Sequence, residues 1–119
     1  MTIRKIIVNE NEYQFINDSR NTRHGFAHDT TLFKNGVIIG KETAHYLNRT
    51  WESYRYQTVM MVCVNTIITE KLNNFIADFK AENGIRRLTK AKREEVETEF
   101  YNREDIEELQ QVKTELRNY

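Results

Sequence analysis

Residue 50 divides this chain into two hydrophobic periods, and that change constrains the fold more than any other feature of its 119 residues. Before it, segments rich in Ile, Val, Phe, Tyr and Thr at 3–8, 12–17, 26–33 and 37–46 are separated by polar or glycine-containing breaks, which is the pattern of strands. After it, Trp51, Tyr54, Thr58, Met61, Asn65, Ile68, Leu72, Phe75 and Phe79 recur at intervals of three and four, stacked on one helical face. The expectation is a single α+β domain over 1–119: a four-stranded antiparallel sheet within 1–47, one long helix over 50–83, and a helical hairpin over 89–119.

Turn chemistry orders the strands. Asn35-Gly36 joins TTLFK to VIIG, and a type I′ turn needs positive φ at both central residues, which this pair tolerates best. The stretch Asn9–Glu12 (NENE) reads as another turn, and Asn17–Gly25 (NDSRNTRHG) as a longer polar connection. Short links favour an antiparallel meander, and Gly40 marks a bulge in its last arm.

The long helix takes Thr50 as its cap, Glu52 in its first turn and Asn83-Gly84 as its stop. Val59, Met60, Val62, Cys63, Val64 and Ile67 add apolar groups off the main stripe, so the central turns should be covered on two sides, one of them by the sheet. On this spacing Tyr56 and Met60 point away from the stripe and Asn65 lies within it, bonded to a carbonyl or sheet side chain, or fixing register between two copies. Thr89 and Asn102 are expected to cap helices at about 90–101 and 103–118, Asn102 forming a capping-box variant with Asp105. Ile106, Leu109, Val112, Leu116 and Tyr119 make an apolar stripe that must dock, either back on the long helix or against a second copy in a homodimer.

Composition limits the partners. Eighteen Lys plus Arg balance eighteen Asp plus Glu, so no global field draws the chain to nucleic acid or an anionic membrane. Cys63 is the single cysteine, which rules out an internal disulfide and fits a reducing cytoplasm. No run approaches the ~20 apolar residues of a membrane span, so a soluble, cytoplasmic protein is expected. The lack of proline, with abundant Asn, Ile and Lys, fits an AT-rich genome.

Catalytic signatures are sparse. Four glycines supply neither G-x-x-x-x-G-K-[ST] nor G-x-G-x-x-G. His24, His28 and His45 invite a metal site or, with Asp29, a hydrolase, and in an antiparallel sheet His28 and His45 are expected to share a face. A zinc site wants three or four converging ligands, and Cys63 sits inside an apolar run as packing material. The expectation is therefore no cofactor, no metal and no enzyme.

The window 45–60 concentrates Tyr46, Trp51, Tyr54 and Tyr56 beside Arg49 and Arg55. A stacking platform for bases needs its aromatics on one exposed surface, whereas here they divide between two, as at a strand-to-helix junction. Charge gives two better candidates. Arg86, Arg87, Lys90, Lys92 and Arg93 form a basic cluster able to contact phosphates, or to neutralise the acids that follow. Those acids are Glu94, Glu95, Glu97, Glu99, Glu104, Asp105, Glu107 and Glu108, either a solvated face or carboxylates presented to a basic partner as a nucleic-acid mimic would present them.

The block HDTTLFKNGVIIGKETAHYLNRTWESYRYQTVM, residues 28–60, and within it YLNRTWESYRYQTVM, resembles a segment of small proteins encoded by bacteriophages and mobile elements of AT-rich bacteria. The resemblance covers less than a third of the chain and carries no catalytic motif or site residue. It implies a stoichiometric binder of a host defence complex in the host cytoplasm, of the anti-CRISPR type, with a CRISPR effector nuclease as target. Together these readings lead to an expected non-enzymatic protein-binding inhibitor using the acidic residues, with a nucleic-acid-binding accessory protein using the basic cluster as the alternative.

Overall fold

The structure, a computed structural model, describes residues 1–46 and 52–118, the helical residues 52–55 by their backbone alone. Thr50, Trp51 and Tyr119, and the side chains of Glu52, Tyr54 and Arg55, lie outside the described residues; so does Arg49. Strands β1 (Thr2–Val8), β2 (Asn11–Thr22), β3 (Gly25–Lys34) and β4 (Val37–Tyr46) form a four-stranded antiparallel sheet in the order β1-β2-β3-β4. Helices α1 (Glu52–Glu82), α2 (Lys90–Tyr101) and α3 (Glu104–Arg117) follow, which is the expected α+β order.

Asn35 and Gly36 adopt φ of 50° and 81°, the pair of left-handed residues that the type I′ turn requires. The Asn35 side chain also joins the two hairpins: its oxygen accepts from Glu12 N at 2.8 Å and its amide donates to Asn11 Oδ1 at 2.9 Å. The first hairpin turns on Asn9 and Glu10, at φ 50° and 70°. A glutamate gains nothing from that region, and its Cβ makes it cost about 1–2 kcal/mol.

Residues 17–25 are not the polar connection that their composition suggested. β2 continues to Thr22, pairs with Gly25, and leaves Arg23 and His24 as a two-residue link. Cross-strand partners make polar residues compatible with a strand here: Arg20 Nε donates to Asp29 Oδ2 at 2.9 Å and Ser19 Oγ lies 2.7 Å from His28 Nδ1.

In the last hairpin the register shifts between Leu32, opposite Gly40, and Phe33, opposite Ile38, so Ile39 is the extra residue of a bulge. Gly40 sits where α1 comes closest. A Cβ placed there would stand 2.7 Å from Ile67 Cδ1 and 3.4 Å from Cys63 Sγ.

α1 runs for 31 residues, about 46 Å at ~1.5 Å per residue, close to the molecule's 48 Å long axis. Its buried stripe is rotated from the one its spacing suggested. Tyr56 and Met60, expected to face outward, are 7% and 1% exposed, while Asn65, expected inside, stands in solvent. The run Val59–Val64 offers an apolar group at every position and so fits either rotation; tertiary contacts decide. Toward the sheet, Tyr56 meets Ser19, Met60 meets Asn17, and Cys63 and Ile67 meet Gly40. On its other flank Gln57 donates to Leu116 O at 2.7 Å, Lys71 faces Asp105, and Phe75 lies 5.6 Å from Phe100.

The apolar stripe of α3 therefore docks within its own chain. α3 lies beside α1 and against β1, burying Ile106, Leu109, Val112 and Leu116. Its last carbonyls, which no helix can satisfy internally, accept from Arg4 Nη2 (Glu115 O, 3.1 Å) and from Gln57 (Leu116 O). α2 buries Val96 and Phe100, the latter against the C-terminal half of α1.

Caps follow local chemistry. Gly84 at φ 62°, with Ile85 N donating to Lys80 O at 2.9 Å and Gly84 N to Ala81 O, ends α1 in a Schellman motif. Thr89 Oγ1 accepts from Lys92 N at 3.2 Å, as expected of a cap. Asn102 does not cap α3. Its own N–H closes α2 on Thr98 O, and Arg103 takes the N-cap position of α3 without a side-chain bond.

Two substitutions test these readings by urea unfolding at constant m. Glu10→Gly relieves the left-handed residue and is expected to raise stability by roughly 0.5–1 kcal/mol. Gly40→Val drives a branched side chain into Ile67 and Cys63 and is expected to lower it by about 1–3 kcal/mol.

Candidate functional site

The fold divides the eight acids of 94–108 among three environments. Glu94, Glu95 and Glu99 share the outer face of α2. Glu97 accepts from Arg93 Nε at 3.0 Å, and Asp105 faces α1, with Arg103 Nε at 3.2 Å and Lys71 Nζ at 3.8 Å. Glu104, Glu107 and Glu108 join Gln111 and Glu115 along one side of a cleft of about 430 Å³ between α3 and the β1–β2 turn. Ile7, 73% exposed, stands on the opposite wall.

Elementary helix physics accounts for part of this. Glu104, Asp105 and Glu107 occupy the first turn of α3, where carboxylates offset the positive end of the helix dipole. That effect fades within a turn and does not explain Glu115 or the bare isoleucine across the cleft. Among the described residues, Glu104 and Glu107 form no ion pair, so both keep their acceptors for a partner.

Glu108 has a different role from its neighbours. It is 5% exposed, and its Oε1 accepts from Tyr13 OH at 2.5 Å and Asn11 Nδ2 at 2.8 Å, with Lys34 Nζ at 3.7 Å. A buried carboxylate is tolerated only when bonded in this way. Glu108 thus latches α3 to β2 at the base of the cleft. The Tyr13 phenol is held well above its ordinary range, first by burial, then by its bond to Glu108 and that carboxylate's charge. The latch was legible only in part: four residues before Val112, Glu108 falls ~40° from the apolar stripe, on its flank.

The basic cluster is partly spent. Lys92 Nζ bonds Glu95 at 3.1 Å and lies 5.5 Å from the centre of the Phe79 ring, and Arg93 bonds Glu97. Arg86, Arg87 and Lys90 are exposed where α1 passes to α2. Two of the five cations thus neutralise acids of their own helix.

His28 and His45 do not share a face. His28 pairs with Ala44 and His45 with Ala27, so the strand alternation places them on opposite sides of the sheet. His28 is buried beneath α1, where Ser19 Oγ bridges its Nδ1 and, at 2.5 Å, the Tyr56 hydroxyl; its ring stands edge-on to Tyr46 and Tyr56 at 5.3 and 5.0 Å. Thr30 is buried beside it, so neither residue belongs to the polar surface of the sheet, which keeps Lys41 and Thr43. On that outer surface Thr43 Oγ1 and Arg20 Nε both donate to Asp29. Burial pushes the Asp29 carboxyl up, but those bonds and the Arg20 charge outweigh it and hold the group below its ordinary value.

Among the described residues, no three His, Cys, Asp or Glu side chains converge as metal ligands, and no helix is long and apolar enough to cross a membrane. Burial, with the Glu42 carboxylate nearby, pushes the Cys63 thiol up to about 12, so it packs as a thiol and not as a nucleophile. No known protein family, characterised protein or solved structure matches the chain.

Tyr13→Phe keeps the ring and removes the latch's shortest bond, leaving Glu108 short of a donor. Stability near pH 7 is expected to fall by about 1–3 kcal/mol. A raised phenol pKa means that the folded chain keeps a proton the unfolded chain releases, so this contribution is present below pH of about 10 and is lost above it. Unfolding curves from pH 7 to 11 should therefore show the gap between wild type and variant narrowing above that point.

Proposed function

We propose that this chain is a non-enzymatic protein-binding module that offers the β1–α3 cleft to a basic surface on its partner. The observation that carries this reading is the pairing, in one cleft of about 430 Å³, of exposed Ile7 with the carboxylates of Glu104 and Glu107, which form no ion pair among the described residues. Rim charges set encounter rate and specificity, and an apolar anchor supplies the desolvated centre that tight interfaces need. The latch beneath keeps the cleft in shape before a partner arrives, which reduces the ordering cost of association.

The phage-type resemblance of residues 28–60 points to the partner's class: a host defence complex, with a CRISPR effector nuclease as the foremost case. Such nucleases hold nucleic acid in a positively charged channel, a surface that a row of fixed carboxylates complements. The nucleic-acid-binding alternative has less support, because Lys92 and Arg93 already serve Glu95 and Glu97.

The test is titration of the chain into effector nucleases while target-DNA binding is followed. Stoichiometric loss of DNA binding is expected, and Glu104→Lys with Glu107→Lys should weaken it roughly tenfold or more, with a shallower salt dependence. Equal potency of wild type and the double variant would overturn the assignment of the cleft.

A further inference from the structure

A second concavity, on a different flank of α3, has another chemistry. Where the β3–β4 hairpin, the middle of α1 and the first turns of α3 meet, a cavity of about 410 Å³ opens, within the range of small-molecule sites. Its walls are Tyr13, Ile39, Ile67 and Leu109; Lys34, Lys71 and the Asp105 carboxylate complete its lining. Tyr13, Ile67 and Leu109 are buried and so held in place by packing, and Ile39 is the partly exposed apolar group among the four.

One wall exists because of the bulge. In a regular β4, Ile39 would face away from the side that Gly40 shows to α1; as the extra residue between Ile38 and Gly40 it packs instead against the core cluster. Bulges are used to re-aim a side chain in this way, often beside a site. Val37, register partner of Lys34 and so on its side of the sheet, remains exposed close by.

Both lysines have unused capacity. Lys34 Nζ is 3.7 Å from Glu108 and Lys71 Nζ is 3.8 Å from Asp105, within ion-pair range but beyond a hydrogen bond. The two carboxylates are better served elsewhere, Glu108 by Tyr13 and Asn11, and Asp105 by Arg103. Among the described residues neither ammonium donates a hydrogen bond, and with Arg103 three cations here face two carboxylates. A cationic ligand would find the acids engaged, and an uncharged apolar one would desolvate two ammoniums without return.

We propose that this cavity binds a small amphipathic monoanion, its carboxylate held between Lys34 and Lys71 and its apolar body against Ile39, Ile67 and Leu109. The site shares the Glu108–Tyr13 latch with the acidic cleft but opens on the other side of it and needs no protein partner.

Octanoate is the probe, with octylammonium and 1-octanol as controls of matched length, titrated into the full chain while methyl resonances are followed by NMR. Octanoate should shift the methyls of Ile39, Ile67 and Leu109 saturably, with an affinity at least tenfold above that of octylammonium. Lys34→Met with Lys71→Met should reduce octanoate to the level of 1-octanol. No saturable shift, equal affinity for the two head groups, or shifts of similar size at the exposed Ile3, Ile7 and Ile38 would each overturn the proposal. The head-group comparison uses the unaltered chain, so it decides the matter even if the double variant does not fold.

Discussion

A four-stranded sheet is wider than a helix. At ~4.8 Å per strand its outer strands stand roughly 14 Å apart, whereas a helix with its side chains covers about 10 Å. α1 lies chiefly over β3 and β4 and reaches β2 through Tyr56 and Met60. Ile6 and Val8 of β1 would then face water, and α3 closes that gap beside α1. The course of the C-terminal third serves this need: the chain reverses after Gly84, and α2 packs on the far turns of α1.

Covering a sheet with two helices leaves seams, and the seams are where polar chemistry gathers. α3 ends where Arg4 from β1 and Gln57 from α1 take its last carbonyls, and it begins where Glu108 is locked to Tyr13 and Asn11. On the β1 side of that lock lies the acidic cleft; on the α1 side lies the apolar cavity with its two lysines. One buried carboxylate thus shapes both concavities. It contributes to fixing the geometry as much as to stability, since a buried charge gains little net energy even when fully bonded.

The fold was legible where local chemistry leaves few options. Asn35-Gly36, Thr89 and Asn83-Gly84 each specify a backbone conformation, and the switch from a two-residue to a three-and-four-residue period at residue 50 separates sheet from helix. Where several local solutions are equally good, the letters did not decide. Val59–Val64 fits two rotations of α1, and the sheet and α3 together selected the one that buries Tyr56 and Met60 and exposes Asn65. Ser19 and Arg20 read as loop because the partners that keep them in β2, His28 and Asp29, lie nine residues on in β3. The acidic face was legible as charge, but its division was not: whether Glu108 meets solvent or Tyr13 depends on which strand lies beneath α3, a long-range fact.

α3 is half of the layer covering the sheet and not an appendage to it. Native-state hydrogen exchange of the full chain tests this most directly. Amides of Leu109 and Val112 in α3 are predicted to open with the same free energy and the same denaturant dependence as those of Val64 in α1 and Phe15 in β2, as one cooperative unit. If α2 and α3 exchange together through a separate opening of much lower energy while α1 and the sheet stay protected, the sheet does not need its second helix.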